Sequence, residues 1–227
     1  MGTIFAYNLD FTPILEAWEM FLRGTGVTLL FSLGTVLLGV VFGLIVALGR
    51  ISKNKVLSSI CRVYISALRG TPMLIQLYLL TYGLPLAMGL SVNYYVSGLI
   101  AMSLNSSAYV AEIFRSGIES VDKGQVEASR SLGFSHSYTM ARIVVPQSMK
   151  SVLPNIGNEF VTIVKESSIV SIIGIYDITH VSDLLKASTY KILEALIVAA
   201  ILYWVLTTIF SSLVKLGEKQ LNKLYAR

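Results

Sequence analysis

Charged residues are missing from long stretches of this chain, and the points where they stop and restart outline its elements. No charge occurs between Arg23 and Arg50. The apolar run from Gly24 to Gly49 is therefore long enough to cross a bilayer, which takes about 20 apolar residues in helical form. Between Arg69 and Glu112 charge is absent again. That run is too long for one helix, and Gly83-Leu84-Pro85 with Gly89-Leu90-Ser91-Val92-Asn93 breaks it as a turn. Two spans are predicted there, roughly residues 62 to 84 and 94 to 114. A fourth span over about Pro154 to Ile175 contains charges, and a fifth runs from Ala195 to Val214 between Glu194 and Lys215. Backbone polar groups in lipid must be satisfied within the segment, so such runs form helices. The expected fold is all-α, a polytopic membrane bundle of about five transmembrane helices forming one domain over residues 1–227.

Two finer patterns accompany the spans. Ile14, Leu15, Trp18, Phe21 and Leu22 recur at helical spacing. Residues 1–23 are read either as an amphipathic segment on the outer interface or as an extension of the first span. Gly34, Gly39 and Gly43 mark a small-residue face of span one, with Gly39 and Gly43 in the spacing that permits close helix contact.

Composition agrees with a membrane chain. Of the 227 residues, 54% are hydrophobic and 14% charged, where soluble domains carry about a quarter charged residues. The net charge of +5 has a topological meaning here, because Lys and Arg concentrate in cytoplasmic loops. Arg50, Lys53, Lys55, Arg62 and Arg69 fill the first loop. Arg115, Lys123, Arg130, Arg142 and Lys150 fill the long one, and Lys215, Lys219, Lys223 and Arg227 the tail. With five spans all three fall on one side. The expected topology is N-terminus outside and C-terminus cytoplasmic in a prokaryotic plasma (inner) membrane. Residues 1–23 lack the basic start of a cleavable signal. Cys61 is the only cysteine, so neither a disulfide within the chain nor a Cys-based zinc site is available. His136 and His180 lie far apart with no metal-ligand spacing, no nucleic-acid motif occurs, and Ser167-Ser168 has no base nearby to make a nucleophile.

The loop of residues 120–146 is too polar to span and too rich in helix signals to be a linker. Asp122 with Gln125 fits a capping-box pattern for a short helix running to Leu132. Gly133 suits the left-handed position that ends it. Ser135 caps a second helix, which Pro146 ends or bends. Two short helices at a sharp angle serve either as an ordinary surface hairpin or as a docking element for a soluble partner.

These residues carry a family resemblance. Glu127-Ala128-Ser129, Gly133 and Ile143-Val144-Val145-Pro146 resemble the EAA loop of ABC importer permeases, Ser129 and Val145 being conservative departures. Arg69-Gly70-Thr71-Pro72 with Gln76, Ser107-Ala108-Tyr109, Glu112, Arg115, Gly117, Gly124-Gln125, Asn158-Glu159-Phe160 and Lys165-Glu166-Ser167-Ser168 are similar to the polar amino-acid branch of that family. The resemblance covers roughly residues 22 to 216. It implies a type I permease fold without catalysis of its own. The chain has no Gly-rich loop ending in Gly-Lys-Ser/Thr, so it has no P-loop for ATP. ATP-Mg would belong to a cytoplasmic ABC ATPase dimer that receives the loop through Gln125, Glu127, Ala128, Ser129 and Gly133, where a side chain at Gly133 is expected to clash or rotate the second helix. Further implied partners are a second permease subunit, an extracytoplasmic solute-binding protein and an amino-acid substrate, in contact with membrane lipid and not with nucleic acid.

Intramembrane ionisable groups default to functional hypotheses because they are costly there. On a helix, Asn155, Glu159, Thr162 and Glu166 share one face, so Glu159, Thr162 and the neighbouring Asn158 are candidates to line a translocation path. Asn105, Ser106 and Tyr109 on span three are candidates to supply neutral donors and acceptors. Lys165 and Glu166 either join that path, pair with other helices or lie near the outer surface. Glu112 and Arg115 are expected to form a local ion pair, and Arg50 and Arg69 to anchor span ends among lipid phosphates. An ABC permease for another small polar solute, a secondary transporter and a membrane adaptor without transport are the competing readings.

Overall fold

A computed structural model describes residues 8–225. Its first element, α1 (Thr12–Glu16), is a single turn. It is followed at once by α2 (Trp18–Arg50), whose 33 residues extend about 50 Å at the α-helical rise. Trp18, Phe21 and Leu22 thus belong to an extension of the first span, and only residues 12–16 form a separate helix. Ile14 and Phe21 are buried in a cluster with Ile178, Val181, Leu185 and Ala195. The Asp10 N–H donates to Glu194 Oε1 at 3.0 Å and its carboxylate lies 3.4 Å from Lys191 Nζ, tying this segment to the bundle. Residues 1–7 of the expected outer segment, and Arg227 of the basic tail, lie outside the described residues.

The predicted second span is not one helix. It consists of α3 (Lys55–Gly70), α4 (Met73–Tyr78), a π-helical turn over Leu79–Gly83 and α5 (Leu84–Met88). The two halves meet at 107°. Pro72 has no N–H to continue α3, and its ring forces Thr71 into an extended conformation (φ −119°, ψ 145°). Gln76 makes the break tolerable in an apolar setting. Its Nε2 donates to the Leu68 carbonyl at 2.8 Å, the Thr71 carbonyl at 3.1 Å and Thr71 Oγ1 at 2.8 Å.

After α6 (Tyr94–Glu119) come α7 (Lys123–Ser131) and α8 (His136–Thr139). A π-helical turn over Met140–Val144 leads directly into α9 (Val145–Glu166). Pro146 therefore does not end a helix. It sits where the π-helical turn passes into the first turn of α9, within a run that stays helical from His136 on. The fourth span consequently starts earlier than expected, has Pro154 in its interior, and passes into a 3₁₀ stretch over Ser167–Ile173. α10 (Ile178–Thr189) and α11 (Ile192–Tyr225) complete the chain.

Contacts fix the directions of these helices. α2 and α6 run parallel. A Cβ on Gly34 would meet Leu99 at 3.4 Å, on Gly39 it would meet Ser106 Oγ at 2.7 Å, and on Gly43 it would meet Val110 at 2.7 Å, so positions advance together along both helices. α9 is antiparallel to α6, with Gly117 against Val152 and Ser106 against Glu159. α11 is antiparallel to α9, through Gly157 against Val214 and Phe160 against Phe210. In the broken segment α4–α5 is antiparallel to α6, because Gln76 meets Asn105 while Thr81 meets Ser97, and α3, bent from it by 107°, crosses α6 with Tyr64 at Ser107.

α2 and α11 are each long and apolar enough to cross a membrane, and the bent α3–α5 segment qualifies if counted as one span. α6 and α9 are too polar for that test, and their polarity points inward: Ser103, Asn105, Ser106, Ser107 and Glu159 are buried. The outside is apolar instead. Leu30, Leu37, Val41, Ile45 and Leu48 of α2 and Ile201, Trp204, Ile209 and Leu213 of α11 are exposed. An apolar exterior of this extent is a surface made for lipid.

Candidate functional site

Three elements enclose a polar groove of about 420 Å³. The end of α3 supplies Arg69, α6 supplies Tyr109, Glu112 and Ser116, and α9 supplies Asn155, Asn158, Glu159 and Thr162. The four α9 residues are one turn apart or adjacent, which is how a single helix face presents them. Glu159 is only 8% exposed. The Ser106 hydroxyl donates to its Oε1 at 2.8 Å, holding one carboxylate oxygen against α6.

Arg69, expected at a span end among lipid phosphates, lines this groove. Its guanidinium sits 5.1 Å from the Tyr109 ring centroid and 4.0 Å from Glu112 Oε2. The bend after Gly70 brings the end of α3 to this face instead of continuing it past α6. Glu112 also receives Arg115 Nη2 at 2.7 Å, the local ion pair that the spacing predicts. The groove thus carries an acid on α9 and a cation on α3, with carboxamides and hydroxyls along its lining.

Of the predicted path residues, Glu159, Asn158, Thr162 and Tyr109 converge on this groove. Asn105 and Ser106 do not line it; they are 4% and 0% exposed and form the layer behind. Ser106 supports Glu159. Asn105 Nδ2 donates to Gln76 Oε1 at 3.0 Å and to the Leu68 carbonyl at 3.2 Å, which pins the broken segment to α6. Lys165 and Glu166 lie beyond the groove at the end of α9. Arg69 is a groove residue absent from the predicted path. The signal was present in Arg69-Gly70-Thr71-Pro72, since a proline there makes a turn after the arginine.

The polar loop forms a second site. Asp122 Oδ1 accepts the Gly124 N–H at 2.7 Å and starts α7. At the other end Gly133 takes φ +85°. Its N–H donates to the Arg130 carbonyl at 3.0 Å, and the Phe134 N–H donates to the Ser129 carbonyl at 3.3 Å. This is the paired closure of a Schellman motif. Ser135 Oγ then accepts the Tyr138 N–H at 3.2 Å and starts α8. A Cβ on Gly133 would meet nothing within 4 Å, so the expected steric clash within the chain is absent and the constraint on this position is its left-handed backbone. Ser129 is more than a conservative departure. Its hydroxyl is buried 2.8 Å from Thr139 Oγ1 and locks α7 to α8. Gln125, Glu127 and Ala128 stand exposed on α7.

A bundle with an apolar exterior, a charged groove open on one face and a polar elbow at one end is built as the membrane subunit of a transport system. The chain belongs to the family of binding-protein-dependent transport system inner membrane components, which matches residues 39–223. It is 37% identical to the arginine transport system permease protein ArtQ of Bacillus subtilis, over 95% of this chain and 98% of that one. It is 36% identical to the putative glutamine transport system permease protein GlnP of Rickettsia bellii, over 96% and 99% of the two chains. A crystal structure of an amino acid ABC transporter with histidines superposes with a TM-score of 0.91 at 40% identity, covering 94% of this chain and all of that one. An inward-facing structure of the MetNI methionine ABC transporter shares the fold, with a TM-score of 0.78 at 15% identity. The chain is thus an integral inner-membrane permease of an ABC importer, working with an ATPase and a solute-binding protein.

Proposed function

We propose that this permease carries a polar amino acid through the groove between α3, α6 and α9. The observation that carries the reading is that Arg69 of α3 and Glu159 of α9 line one groove. A zwitterionic substrate needs a cation for its carboxylate and an anion for its ammonium, and the carboxamides of Asn155 and Asn158 and the Thr162 hydroxyl satisfy what remains. The names of the relatives, an arginine and a glutamine permease, support the same class.

The helix directions support five crossings, with α2, α6 and α11 running one way and α9 and the second half of the broken segment, α4–α5, the other. Basic residues at the end of α2, along the loop of residues 120–146 and on the tail of α11 support a cytoplasmic location for that side. The N-terminal end of α2 is then outside. Five helices do not enclose a path, so two permeases pair about a two-fold axis. α7, with Gln125, Glu127, Ala128, Ser129 and Gly133, enters a cleft of the ATPase, where ATP-Mg is bound. Closure of the ATPase dimer drags the elbow and switches the permeases as rigid bodies.

The test is uptake by the complete importer in proteoliposomes, with Glu159→Gln and Arg69→Gln. A hydrogen bond to a charged group contributes about 1.5–3 kcal/mol, so each variant should weaken apparent substrate affinity by about tenfold to a hundredfold. Unaltered affinity and selectivity in competition with a panel of amino acids would remove both residues from the site.

A further inference from the structure

Arg69 stands in the groove without a hydrogen bond to any of the described residues. Its contacts are the Tyr109 ring, whose centroid is 5.1 Å from the guanidinium carbon, and Glu112 Oε2, 4.0 Å from Nη1. At that separation the carboxylate attracts the guanidinium but does not hydrogen-bond it. The fork of donors stays open, and such a fork matches a carboxylate. Glu112 is nevertheless within ion-pair reach of Arg69 and lines the same groove. A substrate carboxylate and Glu112 are therefore competitors for one cation.

What holds Glu112 back is Arg115. Its Nε donates to Glu112 Oε2 at 2.9 Å, and its Nη2 lies 2.7 Å from the same oxygen. Both contacts converge on the atom that is 4.0 Å from Arg69. Attraction between unit charges falls with separation, so the nearer guanidinium takes the larger share of that oxygen's charge. The remaining nitrogen of Arg115, Nη1, is bonded to Glu119. Glu112, Arg115 and Glu119 share one face of α6 at helical spacing, so Arg115 is fixed from both sides along that face. Arg115 itself does not line the groove.

We propose that Arg115 is a positioning residue for substrate binding: it holds the Glu112 carboxylate through two contacts on one oxygen and so leaves Arg69 to the carboxylate of an incoming amino acid. Without Arg115, Glu112 pairs with Arg69 and the groove occupies its own cation. This role rests on the proposed function, in which Arg69 takes the substrate's carboxylate, and it gives Arg115 no contact with substrate.

The experiment is equilibrium binding of tritiated L-arginine and L-glutamine to the permease–ATPase complex in nanodiscs, without the solute-binding protein, so that the groove alone is read. Each is competed by the unlabelled free acid and by its α-carboxamide, which keeps the ammonium and the side chain but has no carboxylate. Arg115→Gln should lower the preference for acid over amide about threefold to fivefold, the upper end of what a partly exposed ion pair supplies, and leave the affinity for the amide as it is. Adding Glu112→Gln to that variant removes the competing carboxylate and should restore the wild-type preference. Arg115→Met, of similar length and without charge, takes the place of the glutamine variant if that one does not assemble. An unchanged preference in Arg115→Gln, equal losses for acid and amide, or no recovery in the double variant would each overturn the proposal. Arg69→Gln separates the two levels, because it should abolish the preference. If it does not, or if the wild-type complex binds neither amino acid, the reading of the groove falls and the role of Arg115 with it. A preference that Arg69→Gln abolishes and Arg115→Gln leaves intact overturns the role of Arg115 alone.

Discussion

Replacing Gly133 with alanine alters a torsional preference and none of the chain's own contacts, because a Cβ there meets no atom within 4 Å. The residue holds φ +85°, where an L-residue pays roughly 1–2 kcal/mol. Two hydrogen bonds depend on that conformation, from the Gly133 N–H to Arg130 and from the Phe134 N–H to Ser129. Since 1.4 kcal/mol is about a factor of ten, the closed elbow in Gly133→Ala should open roughly five- to thirtyfold more often. Gly133→Asn should be milder because Asn tolerates the left-handed region, and Gly133→Val harsher because a β-branched side chain does not. Amide hydrogen exchange at Phe134 reads the opening, and substrate-stimulated ATPase activity in proteoliposomes reads the coupling. Both should follow the order Gly, Asn, Ala, Val. Exchange at Phe134 within twofold of wild type in Gly133→Ala would refute the torsional argument. Asn as damaging as Val would show that contact with the ATPase, not backbone conformation, selects glycine.

Two further outcomes follow from the packing. Gly39→Val should separate α2 from α6, since its Cβ would stand 2.7 Å from Ser106 Oγ; overpacking costs about 1–3 kcal/mol, so both thermal stability and, through the Ser106–Glu159 bond, substrate affinity should drop, and a loss of stability with unchanged affinity would disconnect Ser106 from the site. Burial pushes the Asp177 carboxyl from 3.8 up to about 6, against the bonds it accepts from the His180 N–H and the Tyr203 hydroxyl. The folded state then binds the proton more tightly than the unfolded chain, so this group's contribution to stability falls as pH rises from 3.8 to about 6 and is constant above. Asp177→Asn keeps a helix-capping oxygen and removes the fall; parallel melting curves against pH for the two proteins would contradict the assignment.

Much of this protein is legible one segment at a time. Charge-free runs locate the membrane helices, Asp122, Gly133 and Ser135 outline the elbow, and the pattern around Glu127 and Pro146 is enough for the family. Those signals are local: a cap, a left-handed glycine or a helical period involves residues within a few positions of each other. Even Pro72 announces a break, although a count of apolar residues passes over it. The pairing of faces is a different matter. Ser106 reaches Glu159 across 53 residues of chain and Asn105 reaches Gln76 across 29, and nothing in either segment specifies the other. Span three carries many polar residues, and which of them face the groove and which support it depends on the register that Gly39, Gly43 and Gly117 allow between neighbouring helices. The sequence by itself thus determined an apolar helical bundle suited to lipid, with a polar two-helix elbow. Only the tertiary structure decided that Arg69, at the bend after Gly70, meets Tyr109 and Glu112 in the groove that Glu159 also lines, because that juxtaposition is made by close packing between helices and not by any one of them.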